Sequence, residues 1–165
     1  MKKLINLSVL LLTLSAFAQS SLEKGKIQLN AGFGTSNWST PVYVGADYTI
    51  SNPITVGVEA SYQSYTTYGI KSTIIGLQAN GNYHFNELLK IPNEWDVYAG
   101  LNLNYYNWKF KDSETNTYLV DDKPFGVGIQ IGGRYFFNER FAVNLELRSG
   151  NVTTGGKIGI TYLLN

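Results

Sequence analysis

Asp47, Glu59, Arg134, Glu146 and Arg148 are charged residues set inside otherwise alternating stretches of the chain. Acids and arginines placed this way can pair, because the guanidinium fork bonds two acceptors at once. Gln78, Asn102 and Asn104 share their alternation and can fill the gaps between them. Catalysis would ask for more. A nucleophilic hydrolase needs a His beside a Ser or a carboxylate, and His84 is the only His. It falls on a polar strand face and is expected to be a hydrogen-bonded interior residue, so no catalytic residue is assigned. The chain has no Cys, which removes thiolate metal sites and disulfides. Asp112, Glu114, Asp121 and Asp122 crowd one loop, but their spacing matches no calcium loop. No metal and no cofactor is expected.

Strands must position these groups. Alternation at a period of two runs through 26–36, 41–51, 54–65, 71–85, 95–110, 123–137, 141–151 and 155–164. Ser51-Asn52-Pro53 and Asn138-Glu139-Arg140 read as tight turns, and Glu87 to Lys90 as a possible helical turn ahead of Pro92. The expected fold is all-β, an eight-stranded antiparallel up-and-down barrel.

The two strand faces decide which way that barrel is turned. One face is apolar and uncharged, as in Val56, Val58, Ala60 and Tyr62 or Leu145 and Leu147. The other carries Gly, Asn and Gln with the charged residues above, as in Gly57, Glu59 and Ser61 or Gly128, Gln130, Gly132 and Arg134. A soluble barrel would show water many Lys and Glu and few Gly, since strand Gly is costly. Small polar residues suit the crowded interior of a narrow barrel. The polar face therefore points in and the apolar face out, an arrangement for lipid. Aromatics agree, because rings with polar tips favour the membrane–water boundary. One strand-end level gathers Tyr48, Phe85, Trp95, Tyr135, Phe137, Phe141 and Tyr162. The other gathers Phe33, Tyr62, Tyr105 and Phe125.

The N-terminus speaks to compartment. Met1-Lys2-Lys3, an apolar run from Leu4 to Phe17, and Ala16-Phe17-Ala18 follow the order of a secretory signal. The run is shorter than the roughly 20 residues a spanning helix needs. Residues 1–18 are expected to be a cleaved signal peptide, with Gln19 first in a barrel domain of 19–165. The 165-residue chain has 13 Lys plus Arg and 12 Asp plus Glu. This balance offers no field for nucleic acid. An N-terminus in the periplasm sends 37–40, 66–70, 111–122 and 152–154 outward.

The mature chain, over about 26–164, resembles the small OmpA/OmpX-type eight-stranded outer-membrane barrels. It resembles in particular the porin-like "outer membrane beta-barrel" family of Bacteroidota. The stretch Asn86-Glu87-Leu88-Leu89-Lys90-Ile91-Pro92, with Trp95-Asp96-Val97-Tyr98-Ala99-Gly100-Leu101, is similar to that family's fourth-to-fifth strand connection. Two features depart from the pattern. The chain ends Tyr162-Leu163-Leu164-Asn165 rather than in Phe, and no peptidoglycan-binding domain is read. The resemblance implies a monomer in the bacterial outer membrane. Its expected partners are outer-membrane lipid, lipopolysaccharide and, during insertion, the barrel-assembly machinery.

Three roles follow as expectations. The first is a structural or surface-interaction barrel, with Trp38, Tyr65, Tyr68 and Tyr118 near its contact surfaces. The second is a narrow channel or small-solute binder through the lumen, and the third a soluble lipocalin-like carrier.

Overall fold

The computed structural model describes residues 23–67, 70–112, 118–119 and 125–164. The expected signal peptide, Tyr68, Glu114, Asp121, Asp122 and the first two residues of the expected strand 123–137 lie outside them.

Period-two alternation becomes strands β1 (Ile27–Ser36), β2 (Val42–Ser51), β3 (Ile54–Thr67), β4 (Ile70–His84) and β5 (Trp95–Asp112). After these come the two-residue β6 (Tyr118–Leu119), then β7 (Phe125–Phe136), β8 (Phe141–Gly150) and β9 (Thr154–Leu164). Every pairing is antiparallel, and β1 closes on β9. The eight long strands make a closed barrel, and β6 pairs antiparallel beside the outer end of β5, at Phe110 and Lys111. Closure removes every free edge at membrane depth, where an unpaired amide would have no water to bond. Strand ends differ from the expected ones by two residues at most. Asn86–Leu89 forms the expected turn of helix, α1, capped by Lys90 in the left-handed region at φ 52°.

Burial alternates along the strands in the inside-out sense. Outward residues such as Leu101 (69 % exposed), Val58 and Ile129 form an apolar wall. Gln28, Asn102, Gln130 and Arg134 are buried inside. This overturns the soluble carrier, whose apolar face would line the interior. Lipid tails are as apolar as Leu, so burying the wall against them drives little folding. Ladder hydrogen bonds and the packed lumen must hold the barrel instead. Lumenal glycines make that packing possible. A Cβ on Gly132 would collide with the Tyr98 ring, and one on Gly76 would stand 3.0 Å from the ring of Tyr106.

The ladders are not equally tall. Pairing of β2 with β3 stops at Val42 and Tyr62, while β3 pairs with β4 as far as Thr67 and Ile70. On the other side, β5 pairs with β7 up to Tyr105 and Phe125 among the described residues, but with β4 up to Asp112 and Ile70. Strands β3, β4 and β5 therefore continue past the rim as a tongue, flanked by β6 and about 17 Å beyond the end of β2 at 3.3–3.4 Å per residue.

Candidate functional site: a closed polar lumen and its aromatic roof

Alternation sends one side chain in two into a space narrow enough for side chains to fill. There each charge must find a partner, since an isolated buried ion is costly. Arg134 on β7 does so across the barrel. Its Nη2 donates to Asp47 Oδ2 on β2 at 2.6 Å, and its Nη1 to Asp96 Oδ2 on β5 at 2.9 Å. Its guanidinium also lies 4.6 Å from the centre of the Tyr98 ring. Asp47 accepts further from Asn30 Nδ2 at 2.9 Å.

A second cluster sits around Lys157 on β9. Its Nζ lies 2.6 Å from Glu59 Oε2 and 2.7 Å from Glu146 Oε1. Tyr98 donates its hydroxyl to Glu146 Oε2 at 2.9 Å, which ties this cluster to Arg134. Arg148 faces Glu59 at 3.7 Å and donates to Gln78 Oε1 at 3.3 Å. Gln78 donates to Gln130, and Asn104 to Asn102, which donates to Gln130 in turn. Each of the eight residues expected in the lumen thus lies in one connected network. Sequence reasoning left out Asp96, Tyr98, Lys157 and Tyr43, whose hydroxyl donates to Asn144 Oδ1 at 2.8 Å. Parity could have found them: Asp96 and Tyr98 share the face of Gly100 and Asn102, and Lys157 shares that of Gly159 and Thr161.

His84 is buried at the end of the barrel where the β2–β3 and β4–β5 connections lie. Its Nδ1 lies 2.6 Å from Asp96 Oδ1 and its Nε2 2.9 Å from Thr55 Oγ1. The order Asp–His–Thr matches that of a hydrolytic triad. Thr55 is fully buried, however, so no substrate carbonyl can reach its hydroxyl. Here the imidazole locks β3, β4 and β5 together.

Both mouths are capped. Phe136, Ala142 and Leu163 turn inward below the polar network. At the outer end Ile74, Tyr106 and Trp108 form an apolar cluster joined by Trp38, Tyr65 and Val152. Trp38 meets Trp108 at 4.4 Å and Tyr106 at 5.2 Å, edge to face. This corrects the assignment of Trp38 and Tyr65 to an outward contact surface, since burying their rings beneath the tongue takes apolar area from water. The alternation simply continues beyond the rim: Tyr65 follows Gln63, and Trp108 follows Asn104 and Tyr106.

The expected interface aromatics stand on the outer wall. Phe33, Tyr48, Tyr62, Trp95, Tyr105, Phe125, Phe137 and Phe141 are exposed, and Phe85, Tyr135 and Tyr162 half-buried. Neighbouring rings cover the latter three. Trp95 meets Tyr135 at 4.8 Å, Tyr83 meets Phe85 at 5.1 Å and Phe141 meets Tyr162 at 4.8 Å.

This architecture has known counterparts. Residues 4–162 match the family model described as outer membrane protein beta-barrel domain. The chain belongs to that family. No curated protein matches the sequence. Among solved structures it is similar to OprG of Pseudomonas aeruginosa, with a TM-score of 0.64 at 12 % identity over 87 % of this chain and 97 % of that one. It is similar also to Neisserial surface protein A, at 0.60 and 13 % over 84 % and 95 %. Ail, the attachment invasion locus protein of Yersinia pestis, matches at 0.59 and 13 % over 86 % and 99 %. Identities this low establish a shared fold, the eight-stranded antiparallel barrel, and the family match makes it a membrane-embedded outer-membrane barrel with a polar interior.

Proposed function

We propose that this family member works at the cell surface by contact, through the tongue of β3, β4 and β5, and that its lumen carries no flux. The observation behind this reading is the closed lumen. Apolar side chains cap the buried polar network at both ends, while the ladder runs on past the outer rim. Residues 63–67 of β3 have no strand on their other side among the described residues. Ser39 Oγ reaches only Ser64 O there, at 3.4 Å. Such an edge can take an extended segment of another protein as an added strand. Ail, an attachment protein by its printed name, shares the fold.

The test replaces residues 65–72 with Asn-Gly and compares cell adhesion at equal surface amounts. Adhesion should fall, while the barrel should still shift on a gel when boiled. Unchanged adhesion would sink the reading. Planar-bilayer recordings of the intact protein should show no unitary current, and steady channel openings would favour a narrow pore instead.

The reading takes residues 1–18 as an export signal and insertion as the task of the barrel-assembly machinery. Intact-mass measurement of outer-membrane protein should find Gln19 at the N-terminus. The stretch from Asn86 to Leu101 supports kinship with the small Bacteroidota barrels.

A further inference from the structure

The connection between β4 and β5 differs from the other turns at its end of the barrel. Ser51-Asn52-Pro53 and Asn138-Glu139-Arg140 carry no large apolar side chain, whereas the stretch from Asn86 to Glu94 carries Leu88, Leu89 and Ile91. Leu88 is 66 % exposed and Leu89 62 %. The backbone that holds them out is tied down. Leu89 N donates to Phe85 O at 2.9 Å, and Ile91 N to Asn86 O at 2.9 Å. Asn86 clasps the returning strand: its Oδ1 accepts from Val97 N at 3.1 Å, and its Nδ2 donates to Trp95 O. The two leucines are thus presented by a prefolded turn, and a surface that covers them need not order it first.

Helix geometry gives their direction. Phe85 is the N-cap of α1. Residues three and four further on share its face, and these are Leu88 and Leu89. Phe85 stands on the outer wall, where its ring meets that of Tyr83 at 5.1 Å. Tyr83 lies on the lipid-facing side of β4, with Ile54 and Ala99 as cross-strand neighbours. The apolar wall of β4 therefore runs on from Tyr83 through Phe85 to Leu88 and Leu89. Glu87 takes the opposite side of the turn, where Asn52 Nδ2 donates to its Oε1 at 3.4 Å. Glu87 and Lys90 are both exposed. The turn is amphipathic, and its apolar side continues the barrel–lipid boundary. Only about 6 Å of helix separates Phe85 from Leu89, at 1.5 Å per residue. The leucines accordingly lie near the depth of the Phe85, Trp95 and Tyr135 rings, a level that suits the membrane–water boundary.

We propose that α1 is a membrane-surface anchor. Leu88 and Leu89 insert into the acyl region of the leaflet at this end of the barrel, while Glu87 and Lys90 stay in its aqueous headgroup layer. Lipid is the occupant, rather than a protein, because the face continues a wall that already lies in the bilayer. The turn joins the two strands whose far ends form the tongue, so the anchor fixes β4 and β5 in depth. It stands or falls independently of the adhesive role.

The chain has no Cys, so single spin labels can report on each position. Leu88→Cys, Leu89→Cys, Glu87→Cys and Lys90→Cys are labelled and folded as full barrels into phosphatidylcholine vesicles. A shift on boiling shows that each is inserted. Power-saturation EPR then compares collisions with oxygen, which concentrates in lipid, and with a nickel chelate in the water on both sides. Labels at 88 and 89 should favour oxygen, and labels at 87 and 90 the chelate. A second measurement needs no label. On a water-exposed turn, Leu88→Ser with Leu89→Ser would be nearly neutral. If lipid covers the leucines, this pair should lower the folded-to-unfolded ratio in vesicles at fixed urea by about tenfold. Labels at 88 and 89 as open to the chelate as those at 87 and 90 overturn the proposal, and so does a double variant as stable as its parent. Spin–spin broadening of the 88 label at high lipid dilution also overturns it, because a second copy would then cover the leucines.

Discussion

Arg134 shows how one side chain can hold a barrel whose outer surface gains little from burial. It bridges β7 to β2 and to β5, and its guanidinium is 2 % exposed. Removing it leaves the buried Asp47 and Asp96 carboxylates without their cation. Breaking a buried pair this way costs about 3–5 kcal/mol. Arg134→Ala should therefore lower the urea midpoint of the folded barrel in detergent, and an unchanged midpoint would show that the lumen tolerates lone carboxylates. His84→Phe tests the other end of the same chain. It deletes the bonds to Asp96 and Thr55 while keeping an aromatic ring, and should destabilise by about 1–3 kcal/mol through the unpaired Asp96 oxygen.

At the scale of elements, the tongue is the unusual part. Three strands beyond the rim would be a marginal sheet without something to pack against. Trp38 from the β1–β2 loop and Val152 from the β8–β9 turn supply it, meeting Ile74, Tyr106 and Trp108. Ser36 Oγ anchors that loop by donating to Gln63 Oε1 at 2.9 Å. Trp38→Ala removes edge-to-face contacts worth about 0.5–1.5 kcal/mol beyond the area they bury. Protease added outside intact cells should then cut the tongue faster while the membrane-embedded strands stay protected. If cutting is no faster, the roof is held by something other than the Trp38 ring.

The whole molecule follows from one inversion: apolar out, polar in. A charge placed on the wall reports on it directly. Leu101 is 69 % exposed, which in water would make Leu101→Lys nearly neutral. At the bilayer midplane of a transmembrane barrel the same change costs about 2–4 kcal/mol. The variant should fold less well into vesicles than its parent, as read by the fraction of heat-modifiable band. Equal yields would contradict lipid around that wall.

Strand parity is local, and it was legible without coordinates. Glu59 between Val58 and Ala60, or Arg134 between Gly133 and Tyr135, already separates an inner from an outer face. Eight such stretches with short turns leave few closures other than an antiparallel barrel. Partners across the lumen are another matter. Arg134 is separated from Asp47 by 87 positions and bonds it only because closure brings β2 and β7 within reach of each other. The same holds for Lys157 and Glu59, 98 positions apart. Trp38 sits in a loop with no alternation to orient it, so the sequence left its direction open. The tongue overhead, not its own neighbours, turns it inward. Sequence by itself determined the faces, the strand count and the inside-out character, because those depend on period and composition. Tertiary structure alone decided which charges pair, that both mouths are capped, and how far β3, β4 and β5 outreach the rim, because these depend on register and on contacts between distant strands.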